Sequence, residues 1–311
     1  MMAGKAKAKK SKGLAYDIWR SMRSNKVTMV CLIFVLFLIF ISLFADVLFD
    51  YEADIIAQNI QERLQGPSAA HWFGTDAFGR DYFARIVYAT RITMIIAILS
   101  TLGGSILGIL IGSISAYYGG KVDATIQRIL DIIISIPQIL LIICVVAVLG
   151  GGVRNLIIAF IFSLTPGSSR VVRSAVMVTR ENEYVEASRA VGASNLRIIF
   201  SHLLPNSLGP LIVEATMAIS LCILSTAGLG YLGLGVAAPQ PEWGLMLSEA
   251  QEFMRTQVYL ILFPGMAIVL SAVVFNLLSD GLRDAMDPRL RGYRKRKKKF
   301  RFGKRREVAR G

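Results

Sequence analysis

Residues 183–206 read EYVEASRAVGASNLRIIFSHLLPN, a charged and amphipathic stretch set between long runs with almost no charge. Tyr184, Ala187, Ser188 and Val191 fall at i, i+3, i+4 and i+7, one stripe of a helix, flanked by Glu183, Glu186 and Arg189. Gly192 suits the left-handed position that ends a helix. Ser194 can cap the next helix, whose apolar stripe is Leu196, Ile199, Phe200 and Leu203. Pro205 then stops that helix or starts the next element. The spacing predicts a helix, a glycine turn and a second helix.

The surroundings say what solvent this hairpin meets. Of 311 residues, 54% are hydrophobic and only 18% charged, where a soluble domain of this length carries roughly a quarter. An uncharged run of about 18 residues or more is long enough to cross the hydrocarbon layer as a helix. Val27–Ala45, Ile92–Gly120 and Ile132–Val153 are such runs. Asn155–Ser169 is shorter, broken by Pro166 and Gly167, and counts only if Val171 and Val172 extend it. A fifth run covers Ala215–Gly235, beginning before Glu214 near Leu208, and a sixth covers Thr256–Ser279 with Pro264 and Gly265 inside it. The first run is longer than a signal-peptide core and lacks a small-x-small cleavage site, so it reads as an uncleaved first helix. The expected fold class is an all-α membrane protein with six transmembrane helices.

Lys and Arg counts in alternating loops set the expected orientation. With the N-terminus in the cytoplasm, inside segments hold 29 basic residues and outside segments 6. Both ends are therefore expected inside. The domain reading is a basic N-terminus (1–26), a first transmembrane helix (27–49), an outside loop (50–91), a five-helix core (92–280) containing the hairpin at 181–206, and a basic tail (281–311). The net charge of +14 resides largely in that tail, which includes RKRKKKFRFGKRR (294–306). Such a juxtamembrane run suits anionic lipid and a topology anchor better than nucleic acid, so membrane lipid is expected as a partner and nucleic acid is not.

Gly104, Gly108 and Gly112 recur at four-residue spacing, followed by Ala116, and place small residues where another helix can approach closely. The expected approach is within the chain rather than between subunits. Pro137 and Pro264 predict kinks or breaks. Cys31, Cys144 and Cys222 each sit in an apolar run and read as small buried hydrophobes. Neither the cysteines nor His71 and His202 have metal-ligand spacing. Asp131 and Glu214 read as lying near the inner surface, leaving the midplanes uncharged, which argues against an ion-coupled carrier. No GxxxxGK[ST] loop is present, so the chain has no P-loop for ATP and no catalytic or cofactor site is expected.

Three readings of the hairpin compete. A DNA-reading helix-turn-helix is disfavoured, because it is tied to the membrane at both ends and offers only Arg189 and Arg197 as basic side chains. A plain interfacial helix pair is the second. A docking element that fits a cytoplasmic partner's groove is the third.

The pattern E-A-S-x-x-x-G followed by L-P, here Glu186-Ala187-Ser188, Gly192 and Leu204-Pro205, resembles the EAA loop of ABC importer permeases. Ser188 stands where the general pattern has alanine, and His202 where isoleucine is common. HWFGTDAFGRD (71–81) resembles the H-x-x-GTD-x-x-GRD signature of C-type permeases for dipeptides, oligopeptides and nickel, carried by Gly74, Thr75, Asp76, Gly79, Arg80 and Asp81. YLGLGVAAPQPEWGLML (231–247) and FNLLSDGLRDAMDPRL (275–290) resemble that branch's C-terminal half. Thr226 departs from it, since many relatives carry glutamate there. The resemblance covers residues 15–291 and implies a type I importer permease fold in a prokaryotic cell (inner or plasma) membrane. It implies partners as well: a second homologous permease forming a heterodimer, two cytoplasmic ATPases that bind the ATP, and an extracytoplasmic binding protein. Coupling to the ATPases would rest on Glu186, Ala187, Ser188, Arg189, Gly192, Leu204 and Pro205. The expected cargo is a dipeptide or oligopeptide, with nickel or another small solute, or a secondary carrier, as alternatives.

Overall fold

The computed structural model describes residues 14–286; the first 13 residues and everything from 287 lie outside the described residues. The basic tail at 294–306 and the end of the 275–290 stretch therefore fall outside it. Every regular element among the described residues is helical. In order they are α1 (Leu14–Arg23), α2 (Lys26–Leu48), a π turn (Tyr51–Ile56), a 3-10 turn (Ile60–Glu62), α3 (Tyr82–Tyr118), α4 (Gly120–Ile134), α5 (Gln138–Leu149), α6 (Val153–Arg180), α7 (Glu183–Ala190), α8 (Asn195–Ile198), a second π turn (Ile199–Leu203), α9 (Leu204–Tyr231), α10 (Trp243–Glu249), a second 3-10 turn (Gln251–Phe253) and α11 (Tyr259–Met286). Five helices are long and apolar enough to span a membrane, and a sixth crossing results if α4 and α5 count as one. The end of the bundle bearing α7 and α8 is called here the hairpin end, and the other, bearing residues 50–81 and α10, the loop end.

α3 is the longest element, with 37 residues, and packs along α6. It begins ten residues before the apolar run of its sequence, because Arg85 and Arg91 interrupt that run without interrupting the helix. Both guanidiniums are paired: Arg91 with Asp46 of α2, and Arg85 with Asp76 and Glu249. A paired arginine at a helix end is tolerated where an isolated one is not. Asp81 starts the helix by accepting from the Ala84 amide at 2.8 Å.

The glycine stripe packs within the chain. A Cβ on Gly104 would lie 2.9 Å from Cβ of Leu164, one on Gly108 2.5 Å from Cβ of Ser168, and one on Gly112 would overlap the Ser169 carbonyl. All of these neighbours belong to α6, so the missing side chains set the α3–α6 separation.

Prolines act differently from one helix to the next. Pro137 stands at a break where α4 and α5 bend by 84°, as a missing amide donor and a ring clash with the preceding turn require. Pro166 lies inside one continuous 28-residue α6, so the weak fourth run and its Val171–Val172 extension form a single helix. Pro264 leaves α11 unbroken. Its absent N–H would have bonded the Leu260 carbonyl, which instead accepts from the Tyr82 hydroxyl of α3 at 2.6 Å.

The main core joins α2, α3, α5, α6, α9, α10 and α11 around Met94, Ile96, Phe160, Ile223, Trp243 and Phe275. A second cluster forms at the hairpin end from Ala116, Tyr117, Val172, Val176, Val185, Ile198, Ile199, Leu203 and Leu211. Cys31 and Cys222 are buried, but Cys144 is exposed on α5, contrary to its reading as a buried hydrophobe. An apolar neighbourhood in sequence meant an outer helix face there, not the interior.

Candidate functional site

The hairpin is built by local rules. α7 ends at Ala190, and Gly192 follows at φ +81°. The Gly192 amide bonds the Arg189 carbonyl at 2.9 Å and the Ala193 amide the Ser188 carbonyl at 3.0 Å, the paired pattern of a Schellman turn. No atom lies within 4 Å of the place a Cβ on Gly192 would take. The backbone conformation, not crowding, therefore demands glycine. Ser194 stands at the N-cap of α8, yet its side chain makes no capping bond; only its carbonyl accepts, from Ile198.

Of the two stripes, only Ile199 and Leu203 are buried. Val185, Ile198, Ile199 and Leu203 are the residues packed against α3 and α6. Val191, Leu196 and Phe200 are 84%, 68% and 55% exposed, and Tyr184 is 44% exposed. Two causes explain why the stripe is split between faces. The π turn over Ile199–Leu203 inserts an extra residue per turn, which rotates Phe200 away from the face that holds Leu203. The outward face is itself apolar, so periodicity alone cannot say which side is in.

Polar contacts hold the hairpin's position. The Tyr117 hydroxyl at the end of α3 donates to Asn195 Oδ1 at 2.6 Å, and the Arg189 guanidinium lies 5.3 Å from the Tyr117 ring centre. Arg180 donates to the Ala116 carbonyl at 2.7 Å, closing the end of α3 onto the end of α6. Ser188 Oγ bonds the Tyr184 carbonyl at 2.8 Å and lies 3.3 Å from His202 Nε2. Glu186, Ala187, Arg189, Gly192 and Pro205 are exposed, whereas Ser188 and Leu204 are half-buried.

At the loop end, the 71–81 signature makes a folded brace. Gly74 and Gly79 take φ +77° and +74°, and a Cβ on Gly79 would overlap the Asn59 carbonyl. Thr75 bridges the chain: its hydroxyl donates to the Glu62 carbonyl and accepts from the Gln65 amide at 2.9 Å. Asp76 Oδ1 accepts from the Phe78 and Arg80 amides, and its Oδ2 accepts from Arg80 Nε at 2.6 Å. Arg80 and Arg85, 4% and 0% exposed, then both reach Glu249 at the end of α10, at 3.4 and 3.3 Å. Asp81 also binds His71 Nδ1 at 2.8 Å. Alternating acids and bases make this buried cluster neutral, the condition under which charges persist away from water. The sequence reading missed Arg85 and Glu249. An arginine at the edge of an apolar run was their signal.

Glu242 was also missed. It caps α10 by accepting from the Leu245 amide at 3.0 Å, and Gly230 leaves room for its carboxyl, since a Cβ there would overlap Oε2. Its Oε1 has no partner among the described residues. Burial pushes the carboxyl up to about 7.

An all-helical bundle of this length, with a protruding hairpin at one end and a charge-braced loop at the other, has the architecture of a multi-pass membrane permease. Its fold matches the MetNI methionine ABC transporter in inward-facing conformations, with a TM-score of 0.52 at 20% identity over 63% of this chain and 94% of that one. Residues 104–292 match the binding-protein-dependent transport system inner membrane component family, and the chain belongs to it. Residues 13–67 match the N-terminal TM domain of oligopeptide transport permease C. The dipeptide transport system permease protein DppC of Alkalihalophilus pseudofirmus is 45% identical over 88% of this chain and 90% of its own length. The glutathione transport system permease protein GsiD of Pectobacterium atrosepticum is 41% identical over 88% and 91%. The chain is thus an inner-membrane component of a binding-protein-dependent transport system.

Proposed function

We propose that this chain is the permease subunit of an ATP-driven importer of dipeptides or oligopeptides, and that the α7–α8 hairpin is where ATPase motion enters it. One observation carries the coupling role: a hairpin whose inner face is packed on α3 and α6 presents Val191, Leu196 and Phe200 outward, 55–84% exposed. An apolar face outside the spans fits a groove in a partner better than water. The basic residues flanking the spans favour placing this end in the cytoplasm. The two relatives are named for dipeptide and glutathione transport, and both solutes are peptides. In this reading the chain catalyses nothing. Two ATPase subunits bind and hydrolyse ATP, a second homologous permease completes the membrane pair, and the binding protein delivers solute to the loop end.

The test uses the chain reconstituted with its ATPases, second permease and binding protein. Leu196→Asp and Val191→Asp alter exposed positions and leave the packing intact. Each is expected to reduce ATP-dependent uptake about tenfold or more, the loss of roughly 1.4 kcal/mol or more of docking energy, with the inserted, folded chain unchanged in amount. Unchanged uptake would sink the coupling role. Uptake by this chain alone in ATP-free vesicles would favour a secondary carrier, and selective uptake of nickel over di- and tripeptides would overturn the peptide assignment.

A further inference from the structure

α6 carries Ser163, Gly167, Arg170 and Ser174 at steps of 4, 3 and 4 residues, one stripe of a helix. Ser163 is half-buried and the other three are exposed. A stripe so polar is a poor match for lipid within a membrane-spanning helix. Neighbouring helices extend it. Gln138 Nε2 of α5 donates to Ser163 Oγ at 3.4 Å, and Arg170 Nη2 donates to Asp131 Oδ1 of α4 at 2.6 Å. From the other side, Ser168 Oγ donates to both Glu214 oxygens of α9, at 3.0 and 3.2 Å. Glu214 Oε1 lies 3.8 Å from where a Cβ on Gly167 would be.

Glu214 sits about two turns inside the span Ser207–Tyr231, deeper than the inner-surface position read from its sequence. It is only partly buried and has no basic partner among the described residues. Asp131 is already paired with Arg170. Polar groups from four helices thus border one exposed polar strip along α6, called here the trough, with one carboxylate left over.

We propose that this trough is a wall of the solute path, and that Glu214 receives the ammonium group of a passing zwitterionic solute. The assignment rests on the importer reading and names the chemistry of its route. Gly167 keeps the floor open beside the carboxylate. The Arg170–Asp131 pair, half exposed on both sides, offers a guanidinium to the solute's carboxylate nearer the hairpin end. Passage requires such contacts to be weak and several, which a partly hydrated pair and a single acid provide.

The experiment uses the assembled transporter in proteoliposomes with Cys144→Ser as background, since Cys31 and Cys222 are buried. Single cysteines replace Ser163, Gly167, Ser174 and, as the control, exposed Phe162 on another face of α6. A membrane-impermeant maleimide is expected to label the three stripe positions about tenfold faster or more than Phe162→Cys, because only a hydrated thiol ionises readily. Equal, slow labelling would mean lipid or the second permease covers the face, and the path assignment falls. With saturating binding protein, Glu214→Gln should slow uptake of a dipeptide with a free α-amino group about tenfold relative to its N-acetylated counterpart, and Glu214→Asp should restore much of it. Equal slowing of both dipeptides overturns the ammonium role. If the unsubstituted complex moves no peptide, the importer reading fails on its own, while labelling still reports whether the trough is wet.

Discussion

At the scale of single residues, Glu242 carries the sharpest consequence. Its carboxyl is buried, one oxygen has no partner among the described residues, and its value rises from 4.5 to about 7. A carboxyl raised on folding contributes stability that is complete below 4.5 and is lost as pH climbs through 7. The difference corresponds to about 3 kcal/mol between pH 4.5 and pH 8. Thermal unfolding of the purified chain should therefore show stability falling over that range, and Glu242→Gln should remove that component of the slope. Parallel slopes in the two proteins would contradict it. Nothing in the sequence around Glu242 marks it as buried. It becomes so because Gly230 of another element has no side chain. Gly192 was legible, by contrast, because its positive φ is the helix-ending demand its spacing already expresses, while Gly74 and Gly79, also at positive φ, were marked only by the signature they share with the family.

Elements were legible where a single property decided them. α2, α9 and α11 follow their apolar runs, and the α4–α5 break falls at Pro137. The first ten residues of α3 were hidden because charge counting cannot foresee that Arg85 and Arg91 find acids on other elements. Pro264 was expected to kink or break its span and did not break it, for a reason that also lies outside its own helix. The Tyr82 hydroxyl takes the place of the absent amide donor at Leu260. Tyr82→Phe leaves that buried carbonyl without its donor, and is expected to destabilise the folded chain by about 1–3 kcal/mol. A thermal melt of the variant in detergent measures this, and an unchanged melt would mean that α11 tolerates the vacancy. The hairpin's inner and outer faces were the part least legible, since both are apolar and a π turn rotates the register between them.

For the whole molecule, the loop-end cluster decides whether residues 50–81 are a tether or a part of the bundle. Asp76, Arg80, Arg85 and Glu249 join the 50–81 loop, α3 and α10 in one neutral group. Removing one partner strands a buried charge, so Arg85→Met should cost about 3–5 kcal/mol, whereas Arg85→Met with Glu249→Leu should recover most of it. Protease resistance of the loop and the melting temperature together measure both variants; a double variant no better than the single would show that the charges do more than neutralise each other.

α3 joins these two regions directly. Its 37 residues span about 55 Å, more than the thickness of a bilayer's hydrocarbon layer. Tyr117 at one end touches Asn195 beside the hairpin, and Arg85 at the other enters the loop cluster. α6, α9 and α11 each contain a proline, and α3 contains none. Under the proposed coupling role α3 is the pushrod of the bundle: a thrust entering at the hairpin would cross to the loop end without meeting a proline joint, while the helices around it supply the bearings.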